Sequence, residues 1–349
     1  MLRPMLRIAF ICSLLALMAA CGRSAGPEAR MEPPTAEPPV IETPEPEPPP
    51  KPFVYPLTGM PSDVLLTDRP IVIMVENSPA ARPQTGLDQA DIVFEMLAEG
   101  DITRFVSVYH SRKAEEIGPV RSIRPYFVEL GMALDGILVH AGWSQEAMNL
   151  MARHRLNHLD QVYGDHNYYW RDSSRKAPHN VYTSIEKIRQ GAMDKKFREE
   201  WNDPGLTFMR EGESPSGAPA ASVTIPYLQG YTVGYTYDGE PETGTYERSM
   251  KNEPHTDKLS GNRLSAANVL IVEASHRIVD DAGRRDVDVQ GPGDGYLLQQ
   301  GLYREIRWEL RNGFIRAFPR DGEPAAEIPL LPGPTWVQIV PNVSKVTFE

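Results

Sequence analysis

Six arginines in polar loops or at strand ends are the side chains of this sequence best suited to bind a ligand. Each guanidinium carries a planar fork of donors that can hold a carboxylate or a phosphate through two hydrogen bonds. We expect the loops that carry them to converge on one site in the first half of the chain. The candidate ligand-binding residues are Glu76, Asn77, Arg82, Arg104, Arg121, Arg124, Arg171, Asp172, Arg175, His179 and Asn180.

Arg121 and Arg124 give the clearest signal for an anion site. They stand just before Pro125, and proline favours the first turn of a helix. Because the amides at a helix N-terminus attract negative charge, two guanidiniums at this position predict an anion-binding site. The alternative is that both arginines form ion pairs inside the domain with Asp91, Glu95 or Glu99.

A segment of interleaved aromatic and polar residues spans 168–184 and reads YYWRDSSRKAPHNVYTS. A flat apolar wall beside directional hydrogen-bond donors is what a sugar or peptide site needs. A long ordered loop packed on its own aromatic rings would have the same composition. Both interpretations stay open.

Paired carboxylates offer an enzymatic alternative, a hydrolase or transglycosylase that acts on cell-wall glycan. Glu76 with Glu95 or Glu99 would act as acid and base if the carboxyl groups lay about 5 to 9 Å apart. A polar network of glutamates satisfied by arginines would contain the same residues. We therefore favour a noncatalytic binding protein, or a scaffold that presents a strand edge to another envelope protein.

Other signatures of enzymes and cofactors are weak in this sequence. It has no Gly-x-Ser-x-Gly elbow that would expose a nucleophilic serine. His255, Asp257 and His276 lack the compact spacing of a zinc motif. The glycine-rich stretch 290–296 lacks the spacing and the following helix of a dinucleotide loop, so it predicts a hairpin or a bulge. We predict no metal and no cofactor.

Alternating strand-like and helix-like segments would position these residues. Because ligand loops gather at the carboxyl ends of strands in α/β sheets, Glu76 and Asn77 should lie at such an edge. Strands are predicted over 71–75, 91–97, 103–110 and 136–142, and helices over 125–134, from Ser144 onward and over 184–201.

A proline- and small-residue-rich break at 211–220 separates this part from short strand-like segments with turn signals. The predicted fold class is α+β, with an N-terminal α/β-type domain over 52–212 and a mainly β C-terminal domain over 213–349.

Several long motifs of this chain look like those of the YerB-like bacterial lipoproteins, a family defined by a domain of unknown function. In the first part they are RPIVIMVENSPAARPQTGLDQADIVFEMLAEGDITRF, IGPVRSIRPYF, DGILVHAG and WRDSSRKAPHNVYTS. PHTDKLSGNRLSAANVLIVE and PGPTWVQIVP resemble the family's C-terminal part. The resemblance covers about residues 56 to 341. It implies a lipoprotein with two joined domains and no established biochemical activity.

The N-terminal residues predict export and a lipid anchor. Two arginines precede an apolar run over 8–20, which falls short of the roughly 20 residues that a bilayer core requires. The run ends in Met18-Ala19-Ala20-Cys21, which resembles the lipobox of bacterial lipoproteins and implies a diacylglyceryl thioether on Cys21. We predict a signal peptide over 1–20 and an extracytoplasmic protein anchored to the membrane through Cys21.

The segment after the anchor, within residues 21–51, is rich in proline and glutamate. It has too few apolar side chains to offset its ordering entropy, so we predict a disordered linker. The linker contributes to the formal net charge of −11, and the chain shows no basic face for a nucleic acid. The expected partners are the membrane, through the lipid anchor, and a cell-wall component, an anionic ligand or an envelope protein.

Overall fold

The structure, a computed structural model, describes residues 51–349 apart from residues 229, 241–243, 282 and 322–325. The predicted signal peptide, the lipidated Cys21 and nearly all of the linker lie outside the described residues. The described residues pack as one compact unit. Among the described residues, no helix has the length and apolar character needed to span a bilayer.

The secondary structure is dominated by strands. The first-half strands are β1 Phe53–Val54, β2 Pro61–Ser62, β3 Ile71–Glu76, β4 Ile92–Glu99, β5 Ile102–Tyr109, β6 Ile137–His140, β7 His158–Asp160, β8 Trp170–Arg171 and β9 Val181–Tyr182. The later strands are β10 Ala218–Pro219, β11 Ser222–Leu228, β12 Tyr231–Tyr237, β13 Tyr246–Met250, β14 Glu253–Pro254, β15 Ser265–Ala266, β16 Asn268–Glu273, β17 His276–Ile278, β18 Arg285–Val287, β19 Gly293–Gln299, β20 Leu302–Arg311, β21 Phe314–Pro319, β22 Thr335–Val340 and β23 Thr347–Phe348. The α-helices are α1 Pro125–Ala133, α2 Gln145–His154 and α3 Ile185–Asp194, and short 3-10 helices span Pro79–Ala81, Leu87–Gln89, His166–Tyr168 and Val343–Lys345.

An eleven-stranded sheet forms the centre of the molecule. Its order is β10-β20-β19-β16-β22-β4-β5-β3-β6-β7, and β21 also pairs with β20. Strands β22 and β4 run parallel, with Trp336 opposite Val93. This pairing joins strands from the two halves of the sequence in one sheet.

The central strands are buried on both faces, because apolar layers cover each side. All six residues of β3 are buried. Val72 and Met74 pack into the core that includes α1, whereas Ile73 and Val75 pack into a second core that includes α3 and strands β11 to β13. A six-stranded sheet of order β14-β13-β12-β11-β23, with β15 on β13, supplies part of this second layer.

The helices begin where the sequence predicts, but α3 is shorter than predicted. Ser184 caps α3 by accepting a hydrogen bond from the amide of Lys187. The predicted helix over 184–201 was wrong in its last part, because the helix ends at Asp194 and Lys196 adopts a left-handed φ of 55°. The amide of Phe197 then bonds to the carbonyl of Ala192 and turns the chain away from the helix axis.

The α+β class is confirmed in its broad form, since strands predominate among the described residues and the three α-helices found there all precede residue 212. The predicted boundary at 212/213 falls between α3 and β10. The central sheet contains strands from both sides of that boundary. The division into two domains stays a prediction.

Candidate functional site

Glu76 occupies the carboxyl end of β3, at the sheet edge where ligand loops were expected. It is the last residue of the strand, and a loop over 77–84 folds back against it. The side-chain amide of Gln84 donates to the carbonyl of Glu76 at 2.9 Å and to Asn77 Oδ1 at 2.8 Å. The loop is therefore tied to the end of its own strand.

Four side chains meet at this edge and are called the Glu76 site: Glu76, Ser78, Arg121 and His179. Glu76 is only 4% exposed. Its Oε1 accepts from Ser78 Oγ at 2.8 Å and lies 2.9 Å from His179 Nδ1 and 3.7 Å from Arg121 Nε. Its Oε2 is buried and has no hydrogen-bond partner among the described residues. The carboxylate thus retains an unused acceptor.

Arg121 and His179 form the solvent side of the Glu76 site. Their side chains are 30% and 25% exposed. Since His179 directs Nδ1 towards Glu76, its Nε2 lies on the opposite side of the ring. The site can offer a guanidinium and an imidazole nitrogen to an external group.

Arg104 and Arg124 lie in a separate cluster around Glu99. Arg104 donates to Glu99 Oε2 at 2.8 Å and to the carbonyl of Ser122 at 2.8 Å. Arg124 forms an ion pair with Glu99 Oε1. Burial acts to raise the pKa of Glu99, but the two guanidiniums outweigh it and lower the pKa below its usual value. The predicted alternative of internal ion pairing therefore describes Arg124, whereas Arg121 faces Glu76.

Glu95 lies in a buried polar network on the other face of the sheet. Glu95 and Arg248 are both fully buried and form an ion pair at 2.7 Å. Glu95 Oε1 also accepts from Thr103 Oγ1 at 2.8 Å and from the hydroxyl of Tyr231 at 2.7 Å. Asn77 joins the network by donating to Thr103 Oγ1 at 2.8 Å. This carboxylate is fully engaged within the core.

Arg248 extends the network to His255 and the loop over 77–84. Burial opposes the charge of Arg248, but Glu95 and neighbouring tyrosines raise the pKa of the guanidinium above its ordinary value. Its Nε donates to His255 Nδ1 at 3.0 Å, so Nε2 of His255 carries the hydrogen and donates to Gln84 Oε1 at 2.8 Å. Burial and the charge of Arg248 lower the pKa of His255 well below its usual value, and the ring is neutral.

The loop of the hairpin β8–β9 also contacts the loop over 77–84. Arg175 donates to the carbonyls of Ala80 at 3.2 Å and Pro83 at 2.5 Å. Arg171 donates to Asn180 Oδ1 at 2.8 Å. The contacts of Arg175 attach the segment 168–184 to the loop over 77–84.

Asp172 and Arg82 also have internal partners. Hydrogen bonds from Ser174, followed by the contact with Lys258 at 3.0 Å, lower the pKa of Asp172 to about 2. Arg82 donates to Asn77 Oδ1 at 3.0 Å and to the carbonyl of Asn77 at 2.6 Å. Both residues thus stabilise loops around the Glu76 site.

The three glutamates of the catalytic alternative occupy three different environments. Glu95 is paired with Arg248 in the core, Glu99 is held by two arginines, and Glu76 alone keeps an oxygen with neither an ion-pair nor a hydrogen-bond partner among the described residues. His255, Asp257 and His276 also have separate partners. Asp257 accepts from the amide of Leu87, and His276 Nδ1 contacts the carbonyl of Ala274.

Comparison with known proteins agrees with the resemblance found in the sequence. Residues 57–198 match the N-terminal domain of a protein of unknown function, DUF3048, and residues 223–337 match its C-terminal domain. The "Putative lipoprotein YerB" of Bacillus subtilis (strain 168) is 39% identical over 298 residues, covering 84% of this chain and 88% of that protein. The crystal structure of YerB from Bacillus subtilis is similar with a TM-score of 0.77 and 36% identity, covering 85% of this chain and 99% of that one.

Proposed function

The chain belongs to the DUF3048 family of proteins of unknown function, and we propose that it is a lipid-anchored envelope protein that binds an anionic ligand at the Glu76 site without catalysing a reaction. The name of the Bacillus subtilis relative supports a lipoprotein. The lipobox-like sequence at Cys21 supports attachment to the membrane. Cys21→Ser is expected to move the protein from the membrane fraction to the soluble fraction of the cell.

The binding proposal rests on one observation, the contacts and the exposure of the Arg121 side chain. Arg82, Arg104, Arg124, Arg171 and Arg175 all donate hydrogen bonds to groups of the protein at 3.2 Å or less. Arg121 has a contact of 3.7 Å with Glu76, and its side chain is 30% exposed. Of the six arginines expected to form the site, we therefore assign ligand binding to Arg121 alone. Arg82, Arg171 and Arg175 hold loops around the Glu76 site, whereas Arg104 and Arg124 lie in the separate cluster around Glu99.

The ligand class follows from the pairing of Arg121 with the unused oxygen of Glu76. A carboxylate or phosphate would accept from Arg121. A bare anion would be repelled by the nearby carboxylate, whereas a ligand that also carries an N–H or O–H donor would satisfy Glu76 Oε2 once the side chains that bury this oxygen move aside. Satisfying a buried acceptor is favourable, since leaving one unpaired costs about 1–3 kcal/mol.

Thermal unfolding in the presence of ligands tests the proposal. The unlipidated chain from residue 22 onward would be titrated with muropeptides, teichoic-acid fragments and short peptides, which combine anionic groups with donors. A ligand at 100 times its dissociation constant adds about 2.7 kcal/mol to the free energy of unfolding. We expect such a shift for at least one of these ligands.

Two variants and a matched control give the test its specificity. Arg121→Ala and Glu76→Gln are expected to abolish or strongly weaken the shift. Arg112→Ala is the control, because Arg112 is exposed and donates to the carbonyl of Asp88 away from Glu76. A shift that survives Arg121→Ala would contradict the proposed site. No shift with any of the ligands would instead favour a scaffold that binds another envelope protein.

A further inference from the structure

A cavity of about 420 Å³ opens between the loop that follows β8 and the loop containing Lys258 and Leu259. Its volume lies within the roughly 300–1,000 Å³ range of small-molecule sites. Its walls come from both halves of the sequence, which the pairing of Lys258 with Asp172 brings together at 3.0 Å. None of the four residues of the Glu76 site lines it.

Trp170 and Leu259 provide the apolar walls of this cavity. The Trp170 ring stacks on the fully buried ring of Tyr182, with centroids 6.3 Å apart and planes inclined by 24°. Trp170 is partly exposed. The stacking contact with Tyr182 fixes the position of its ring, and the accessible part of the ring can contact a ligand. Leu259 is 64% exposed and adds a second apolar surface.

The polar lining combines donors and acceptors with balanced charge. Arg171 and Lys258 are cationic, whereas Glu116 and Asp172 are anionic. Arg171 uses one terminal nitrogen for Asn180, which leaves its other N–H groups as potential donors. Ser173 adds a hydroxyl that can donate and accept. Because the charges offset one another, the lining favours a neutral ligand with many hydroxyl groups over a strongly charged one.

We propose that this cavity binds a short neutral glycan segment. The apolar face of a pyranose ring would pack on Trp170, and its hydroxyls would bond to Arg171, Ser173 and Glu116. Aromatic rings with a polar surround suit such a ligand, because a sugar ring is apolar on its face and polar at its edge. The glycan site is independent of the anion site, since the two use different side chains.

Isothermal titration calorimetry with two neutral probes tests this inference. The unlipidated chain from residue 22 onward would be titrated with chitotetraose and with cellotetraose. Trp170→Ala is expected to weaken binding at least tenfold, and Trp170→Phe should lose less because it keeps an aromatic face. Trp143→Ala is the matched control, since Trp143 is a partly exposed tryptophan that packs on Tyr163, with centroids 4.9 Å apart, outside this cavity.

A second variant keeps the inference testable if Trp170→Ala does not fold. Leu259 is largely exposed, so Leu259→Asp should fold normally and also weaken glycan binding. Arg121→Ala should leave glycan affinity unchanged, which separates this inference from the proposed anion site. Failure of the unmodified chain to bind either oligosaccharide would overturn the inference, as would unchanged affinity in a folded Trp170→Ala protein or in Leu259→Asp.

Discussion

At the scale of single residues, the molecule places a fully buried ion pair in the core beneath the loop that follows β3. Glu95 and Arg248 are fully buried, and the guanidinium also lies 4.7 Å from the centroid of the Trp336 ring. Removing one member of a buried ion pair typically costs about 3–5 kcal/mol, because the other charge is left uncompensated. Through His255 and Gln84 this pair holds the loop that follows β3.

His140 is a buried residue whose titration should make the protein less stable in acid. Burial, with a further effect of His158, lowers the pKa of His140 from 6.5 to about 3. Between these values the unfolded chain binds a proton that the folded chain does not. The free energy of unfolding should therefore fall as the pH drops from 6.5 towards 3, with His140 contributing up to about 1.4 kcal/mol per pH unit.

Urea unfolding at several pH values between 7 and 4 measures this contribution. His140→Gln is expected to reduce the slope of the free energy of unfolding against pH by up to about 1.4 kcal/mol per unit below pH 6.5. His166→Gln is the control, because His166 is exposed. Equal slopes for the unmodified protein and His140→Gln would refute the assigned titration.

The sequence predicted the loops of the candidate site better than it predicted the contacts within them. Glu76, Arg121 and His179 were among the candidates because they follow strands or lie in polar segments, and the structure brings them together. Arg248 and Tyr231 were missed. Their partners are distant in the chain, and neither spacing nor composition of one sequence shows which distant strand covers a given face.

At the scale of elements, local patterns predicted strand positions well and element ends less well. The apolar run of β3 and the proline at the first position of α1 are clear local signals. The end of α3 has no such local signal, because residues 195–201 keep an amphipathic composition. Their path is set by long-range contacts, such as the bond from the Trp201 indole nitrogen to the carbonyl of Leu134 at 2.8 Å.

The presence of glycines near residue 293 is also explained by contacts with residues distant in the chain. The sequence predicted a hairpin or a bulge over 290–296, but β19 begins at Gly293. A Cβ atom on Gly295 would lie 2.4 Å from the carbonyl oxygen of Ile271 in the neighbouring β16. At Gly295, glycine therefore permits a close approach of two main chains inside a strand, whereas Gly291, just before β19, adopts a left-handed φ of 75°.

Gly295→Ala is expected to destabilise the fold. The added methyl group meets main-chain atoms of β16, which cannot rotate away as a side chain can, so we expect a loss of about 1–3 kcal/mol in the free energy of unfolding. Urea denaturation would measure the loss. The neighbouring Asp294→Ala removes a half-exposed ion pair with Arg307 and should cost less than about 1 kcal/mol. Similar small effects of both variants would argue against the steric explanation.

At the scale of the whole molecule, the central sheet couples the two halves of the chain. The parallel pairing of β22 with β4 runs from Thr335 opposite Ile92 to Gln338 opposite Glu95. The buried ion pair of Glu95 and Arg248 lies next to this junction and also joins the two halves. Separating the halves would therefore expose an apolar sheet edge and leave two charges without partners.

The coupling of the halves predicts a single cooperative unfolding transition for residues 52–349. Calorimetry should give one peak whose calorimetric enthalpy equals its van't Hoff enthalpy. The fragment 52–212 ends before β22 and should lack a cooperative transition, because β4 would lose its parallel neighbour β22 and Glu95 would lose the guanidinium of Arg248. Two separated peaks, together with cooperative melting of the isolated fragment, would show that the halves fold independently. In that case the sheet junction would be a contact between autonomous domains, as the separate family matches on either side of residue 212 would suggest.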